Sequence, residues 1–127
     1  MAGALGRKIS AYRGRQAERL ALRYLVDRGL VMSETNFRCR HGEIDLVMRE
    51  GRCLVFVEVR YRKANRFANA TLSVDRQKQR KLLRAANAYL GRHPQLADLP
   101  VRFDIVALDR PEGNNATINW TRDAFRP

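Results

Sequence analysis

Apolar residues recur at helical spacing over residues 14–28. Ala17, Leu20, Ala21, Tyr24 and Leu25 fall on one stripe, and Gly29 supplies a C-terminal stop. The period then changes to that of strands. Residues 31–38 give a first, weaker strand, 39–42 a turn, 43–49 a second strand and 53–61 a third. The third, from Cys53 to Tyr61, is the most apolar and β-branched stretch in the chain, which predicts a central strand. Residues 62–72, with Asn65, Asn69 and Thr71, read as a loop. A second helix is predicted over 74–90, with Ser73 as its N-cap and Asp75 in its first turn. Leu82, Leu83, Ala86, Tyr89 and Leu90 form its buried stripe, and Gly91 and Pro94 close it. Residues 101–108 make a fourth strand and 118–121 a short fifth, with a turn at 111–115 between them. Residues 1–12 show little periodicity and are expected to be a flexible basic tail.

The order is therefore α-β-β-β-α-β-β. A strand, a helix and another strand in sequence favour a parallel pair joined by a right-handed crossover. The fold class is α/β, a mixed sheet flanked by helices. With 127 residues, 45% of them hydrophobic, residues 13–127 suffice for a single domain with one core.

Charge changes the picture. Lys and Arg number 25 against 13 Asp and Glu, a net charge of +12. Between Arg60 and Arg92 ten basic residues meet one acid, Asp75. Such an excess favours a polyanion, while the plain alternative is a solvated basic face. The basic residues are spread over several elements, which disfavours a membrane surface. No apolar run approaches the roughly 20 residues of a membrane-spanning helix. Cys39 and Cys53 fit no metal or redox spacing and read as free thiols, so a cytoplasmic location is expected. Walker and GxGxxG patterns are absent, as are the arrangements of acyl-transfer catalysis.

Two acids interrupt the most apolar strands. Asp45 shares a strand face with Glu43 and Val47, and Glu58 shares one with Phe56 and Arg60. If Glu50-Gly51 is a two-residue hairpin loop, Arg49 pairs with Arg52, Asp45 lies diagonal to Glu58, and Glu43 lies opposite Glu58. A slip of one residue would put the acids on opposite faces. Carboxylates this close raise each other's proton affinity unless a cation sits between them. Hard oxygen ligands suit Mg²⁺ or Mn²⁺, which could polarise a phosphodiester and activate water. The competing reading is a structural ion pair with Arg60, Arg62 or Arg38. Glu18, at the rim of the first helix's apolar stripe, either reaches the same place as a third acid or stands exposed.

Gly42-Glu43-Ile44-Asp45-Leu46 followed by Phe56-Val57-Glu58-Val59-Arg60 resembles the PD-(D/E)xK nuclease signature. More closely, it resembles the YraN family of predicted endonucleases, related to Holliday junction resolvases. The likeness extends to Arg15-Gln16-Ala17-Glu18, Asn36-Phe37-Arg38, Lys78, Arg102-Phe103-Asp104-Ile105 and Asp123-Ala124-Phe125. It implies a restriction-endonuclease-like fold, DNA as substrate, and Asp45, Glu58 and Glu18 as metal ligands. Asp45, Glu58, Arg60 and Glu18 become the catalytic candidates. Arg15, Arg38, Arg62, Lys63, Arg76 and Lys78 become the nucleic-acid-binding ones. By analogy with resolvases a homodimer is expected. Arg60 stands where the family pattern has Lys. Arginine keeps the charge but does not plausibly lose a proton: either Arg60 serves as an electrostatic stabiliser with Lys63 or Lys78 substituting for the lysine, or the chain is a catalytically degenerate nucleic-acid-binding module. A basic protein–protein adaptor is the third reading. His41 and His93 are expected to be exposed, and Trp120 and Phe125 to cover the core edge rather than stack on bases.

Overall fold

A computed structural model of the protein describes residues 3–63, 74–110 and 117–127, with the backbone alone at 3–13, 62, 63 and 110. The elements run α1 (Gly3–Asp27), β1 (Val31–Cys39), β2 (Gly42–Glu50), β3 (Cys53–Lys63), α2 (Arg76–Arg92), β4 (Val101–Arg110) and β5 (Thr117–Phe125). The strands lie side by side in chain order. β3 and β4 pair in parallel, with α2 between them in sequence, and every other neighbouring pair is antiparallel. The predicted α/β class and element order are both found.

Period-two alternation divides the sheet into two dry faces. In β3, Val55 and Val57 pack with Ala17, Ala21 and Leu25 of α1, against Leu46, Met48, Val106 and Leu108. Leu54 and Phe56 point the other way, onto Leu82, Ala85, Ala86 and Tyr89 of α2, with Phe37, Ile44, Val47 and Phe103. Burying a side chain of this size contributes about 1.5–3 kcal/mol, so β3, apolar on both faces, anchors both layers. Trp120 packs at the edge of the α1 layer, edge-to-face with Tyr24 at 6.3 Å, and Phe125 stacks on Phe103 at 4.8 Å. Both cover the core edge, as expected.

Local differences from the predicted pattern have physical causes. α1 begins at Gly3 rather than near Gly14, so helical backbone runs through the expected tail. It ends in two bonds, Leu30 N–H to Leu25 O (3.1 Å) and Gly29 N–H to Val26 O (3.0 Å), that require the positive φ of 97° at Gly29. The N-cap of α2 is Asp75, not Ser73: its carboxylate accepts from Lys78 N–H at 2.8 Å. Ser73, the rest of the expected loop beyond Lys63, and the turn at 111–115 lie outside the described residues. His93 is half-buried, stacked on Tyr89 at 4.1 Å, rather than fully exposed.

The β2–β3 hairpin also turns later than expected. Glu50 pairs with Cys53, so the two loop residues are Gly51 and Arg52, with Gly51 at a φ of 59°. Glu50 is held in the strand because its carboxylate accepts from Arg102 (2.7 Å) and Arg122 (2.6 and 3.0 Å) across the sheet. Arg49 therefore pairs with Leu54 rather than Arg52, and Phe56 with Val47; the register shifts by two residues, an even number, so from Leu46 to Glu50 no side chain changes face. Among the described residues no helix is long and apolar enough to cross a membrane.

Candidate metal and phosphodiester site

The paired register of β2 and β3 runs from Glu50 and Cys53 to Leu46 and Val57. Beyond it the Asp45 carboxylate takes the place of a ladder carbonyl, accepting from Val59 N–H at 2.8 Å. Alternation breaks at the same point, because Ile44 and Val47 pack in one cluster despite an odd separation. Across from Asp45, Asn36 of β1 adopts a φ of 53°, a left-handed conformation that asparagine tolerates better than most residues. This irregularity turns Asp45 away from either apolar layer and towards the acids around it.

Glu18 from α1 and Glu43 and Asp45 from β2 each offer a carboxylate oxygen, and these atoms lie within 4.8 Å of one another. Asn36 hydrogen-bonds the Glu18 side chain and holds it there. Glu58 approaches from β3. Its Oε1 is 3.6 Å from Lys78 Nζ, and its Oε2 is buried without a hydrogen-bond partner. Glu58 acts electrostatically on Asp45, and Glu43 on Glu58. The tightest cluster is thus Glu18, Glu43 and Asp45, with Glu58 beside it.

Burial and mutual repulsion oppose the charged state. Burial, then Glu58, push Asp45 up to about 7 against the pull of the Val59 N–H. Glu58 is raised by burial, offset by Lys78 and Arg60. Glu18 is raised by burial, offset by the Asn36 hydrogen bond. Such a cluster takes up either a proton or a cation. The donors are all carboxylate oxygens, which suit a hard divalent ion, and the partnerless Glu58 Oε2 is the atom such an ion would satisfy. The residues fit Mg²⁺ or Mn²⁺.

The expected cations fall into three groups. Lys78 and half-buried Arg60 act directly on Glu58. Arg38 lies 3.7 Å from Glu43 with its side chain 77% exposed, and Arg15 borders an open cavity of about 250 Å³ together with Glu18, Thr35 and Asn36. Arg76 is exposed in the first turn of α2. Arg62 and Lys63 occupy the last positions of β3, and their side chains lie outside the described residues. Sequence reasoning placed Glu43 on the right face without counting it as a ligand. It had no signal for Asn36 as the residue that seats Glu18.

A second acidic centre is structural. Asp104 is 1% exposed and accepts from Arg102 Nε (2.9 Å) and Nη2 (3.1 Å), Trp120 Nε1 (2.9 Å) and Asp123 N–H (2.9 Å). Both its oxygens are satisfied from within the chain, unlike Oε2 of Glu58.

The model of the uncharacterised protein family UPF0102 matches residues 17–108, a span that contains every acid of the site. A UPF0102 protein of Stutzerimonas stutzeri is 50% identical over 112 residues, 88% of this chain and 92% of that protein. Similar proteins of that description occur in Xanthomonas oryzae, 49% identical over 90% of this chain and 91% of the relative, and in Pseudomonas fluorescens, 45% identical over 91% and 94%.

Proposed function

Since the chain belongs to the uncharacterised family UPF0102, the YraN family, we propose on its site chemistry that it is a metal-dependent endonuclease acting on DNA. The observation that carries this reading is the half-satisfied acidic cluster. Glu18, Glu43, Asp45 and Glu58 converge at one end of the sheet of a protein of net charge +12, and one buried Glu58 oxygen has no partner. The ion pair with Lys78 reaches only the other oxygen, Oε1, at 3.6 Å.

Asp45, Glu58 and Glu18 would hold the metal, with Glu43 at hand as a fourth oxygen donor. A bound Mg²⁺ or Mn²⁺ supplies Lewis-acid polarisation of the phosphodiester and lowers the proton affinity of a water. The protein's own groups do the rest. The Val59 N–H fixes the Asp45 carboxylate, and Asn36 fixes Glu18. Lys78 and Arg60 bring positive charge to Glu58, where negative charge on a phosphate in transition would be stabilised.

Arg60, where the nuclease signature that the sequence resembles has lysine, favours a second reading, a binding module that no longer cleaves. Lys78 weighs against it, because an ammonium group reaches Glu58 from α2. A cleavage panel over duplex, single-stranded, flap and four-way DNA with Mn²⁺ separates the two. The nuclease reading expects cutting that EDTA, Asp45→Asn and Glu58→Gln each abolish. Cutting that survives both substitutions refutes the assigned site. Binding without cutting, with cleavage appearing in Arg60→Lys, establishes the degenerate module.

A further inference from the structure

α2 is charged against its own stability. Arg76, Arg80 and Arg84 recur at every fourth residue on the side turned away from Leu82, Ala85, Ala86 and Tyr89, and all three are exposed. Lys78 and Lys81 form a second row, spaced by three, that meets the first at Arg84. Like charges at these spacings weaken a helix. Arg76 and Lys78 also sit in the first turn, where the helix dipole disfavours cations. The helix from Arg76 to Arg92 holds no acid, and Arg76, Arg80, Lys81 and Arg84 have no ion-pair partner among the described residues. A solubilising face would mix both signs, as α1 does where exposed Asp27 lies one turn from exposed Arg23.

The two rows lead to the acidic cluster. Lys78 Nζ is 3.6 Å from Glu58. The Lys81 Cβ lies 3.9 Å from where a side chain on Gly42 would begin, which places this row beside the turn bearing the exposed Arg40 and His41. The outer row spans roughly 12 Å along the helix axis, enough to meet more than one phosphate of a duplex strand, which advances about 3.4 Å along the duplex axis per phosphate.

We propose that the outward face of α2, built from Arg76, Arg80, Lys81 and Arg84, is the docking surface for the DNA sugar–phosphate backbone flanking the acidic site. Lys78 marks where that surface meets the cluster. This rests on the nucleic-acid part of the reading above but not on cleavage.

The test is binding in EDTA, by fluorescence anisotropy, of a labelled duplex of about 30 base pairs and of a four-way junction over a salt series. Arg80→Gln/Arg84→Gln is compared with wild type and with a charge-matched pair, Arg23→Gln/Arg52→Gln, on α1 and the β2–β3 turn. The α2 pair should weaken binding on the order of tenfold to a hundredfold at about 0.1 M salt and flatten the salt slope by about two. The reference pair should stay within about threefold, and Arg80→Lys/Arg84→Lys should bind nearly as wild type, since the phosphates read charge. The altered residues are exposed, so a thermal transition no lower than that of wild type confirms folding. Equal weakening by both Gln pairs, no weakening by the α2 pair, or no wild-type binding at low salt overturns the proposal. Cleavage is scored separately with Mn²⁺: α2-dependent binding without cutting removes only the nuclease reading, and cutting without an α2 effect removes only this one.

Discussion

Replacing Asp45 with asparagine should stabilise the metal-free protein at neutral and higher pH. The carboxyl is pushed from 3.8 to about 7 by burial and by Glu58. A group raised in this way binds its proton more tightly in the folded than in the unfolded chain. Its contribution is therefore fully present below about pH 3.8 and is lost as pH rises through about 7. A rise from 3.8 to about 7 spans about three pH units, or about 4 kcal/mol at 1.36 kcal/mol per unit. Asparagine has no such loss, and its Oδ1 can still accept from Val59 N–H. Asp45→Asn should match wild type near pH 4 and exceed it by up to about 4 kcal/mol at pH 8, on the order of 10–15 °C in Tm for a chain of this length. The assay is thermal unfolding in EDTA from pH 4 to 8, read as the difference between the two proteins so that other titrations cancel. Mn²⁺ should narrow the gap, stabilising wild type by about 2.7 kcal/mol at a hundred times its Kd and leaving Asp45→Asn unmoved. A substitution that destabilises at pH 8 in EDTA, or a difference that does not vary with pH, would refute the reasoning.

Two further outcomes test the frame that holds the site. Asp104→Ala should lower stability by about 3 kcal/mol in denaturant titration, because it leaves half-buried Arg102 with Glu50 alone and the Trp120 N–H without its acceptor. Asp75→Ala should remove about 1 kcal/mol by uncapping α2 and should loosen Lys78, whose N–H that carboxylate accepts. Circular dichroism and the exchange rate of the Lys78 amide report both effects.

The sheet was legible because β3 is apolar on both faces, which only a central strand between two layers allows. The shared face of Asp45 and Glu58 was legible for a narrower reason. The expected hairpin was misplaced by an even step, so parity held up to Leu46 and Val57, and beyond them the Val59 N–H fixes Asp45 beside Glu58. What moved the turn was Glu50 pairing with Arg102 and Arg122, contacts 52 and 72 residues away that no local pattern carries. Asp75 displaced Ser73 as N-cap for a local reason: either residue type can cap, and only geometry decides. The seating of Glu18 by Asn36 depends on a left-handed residue within a strand, which alternation does not foresee.

The most direct measurement is anomalous diffraction at the manganese edge from crystals grown with Mn²⁺. One ion should lie about 2.1 Å from carboxylate oxygens of both Asp45 and Glu58, including the Glu58 oxygen that otherwise has no partner. A map with no ion there at saturating Mn²⁺, and with Glu58 closed onto Lys78 through both oxygens, would contradict a metal-dependent site.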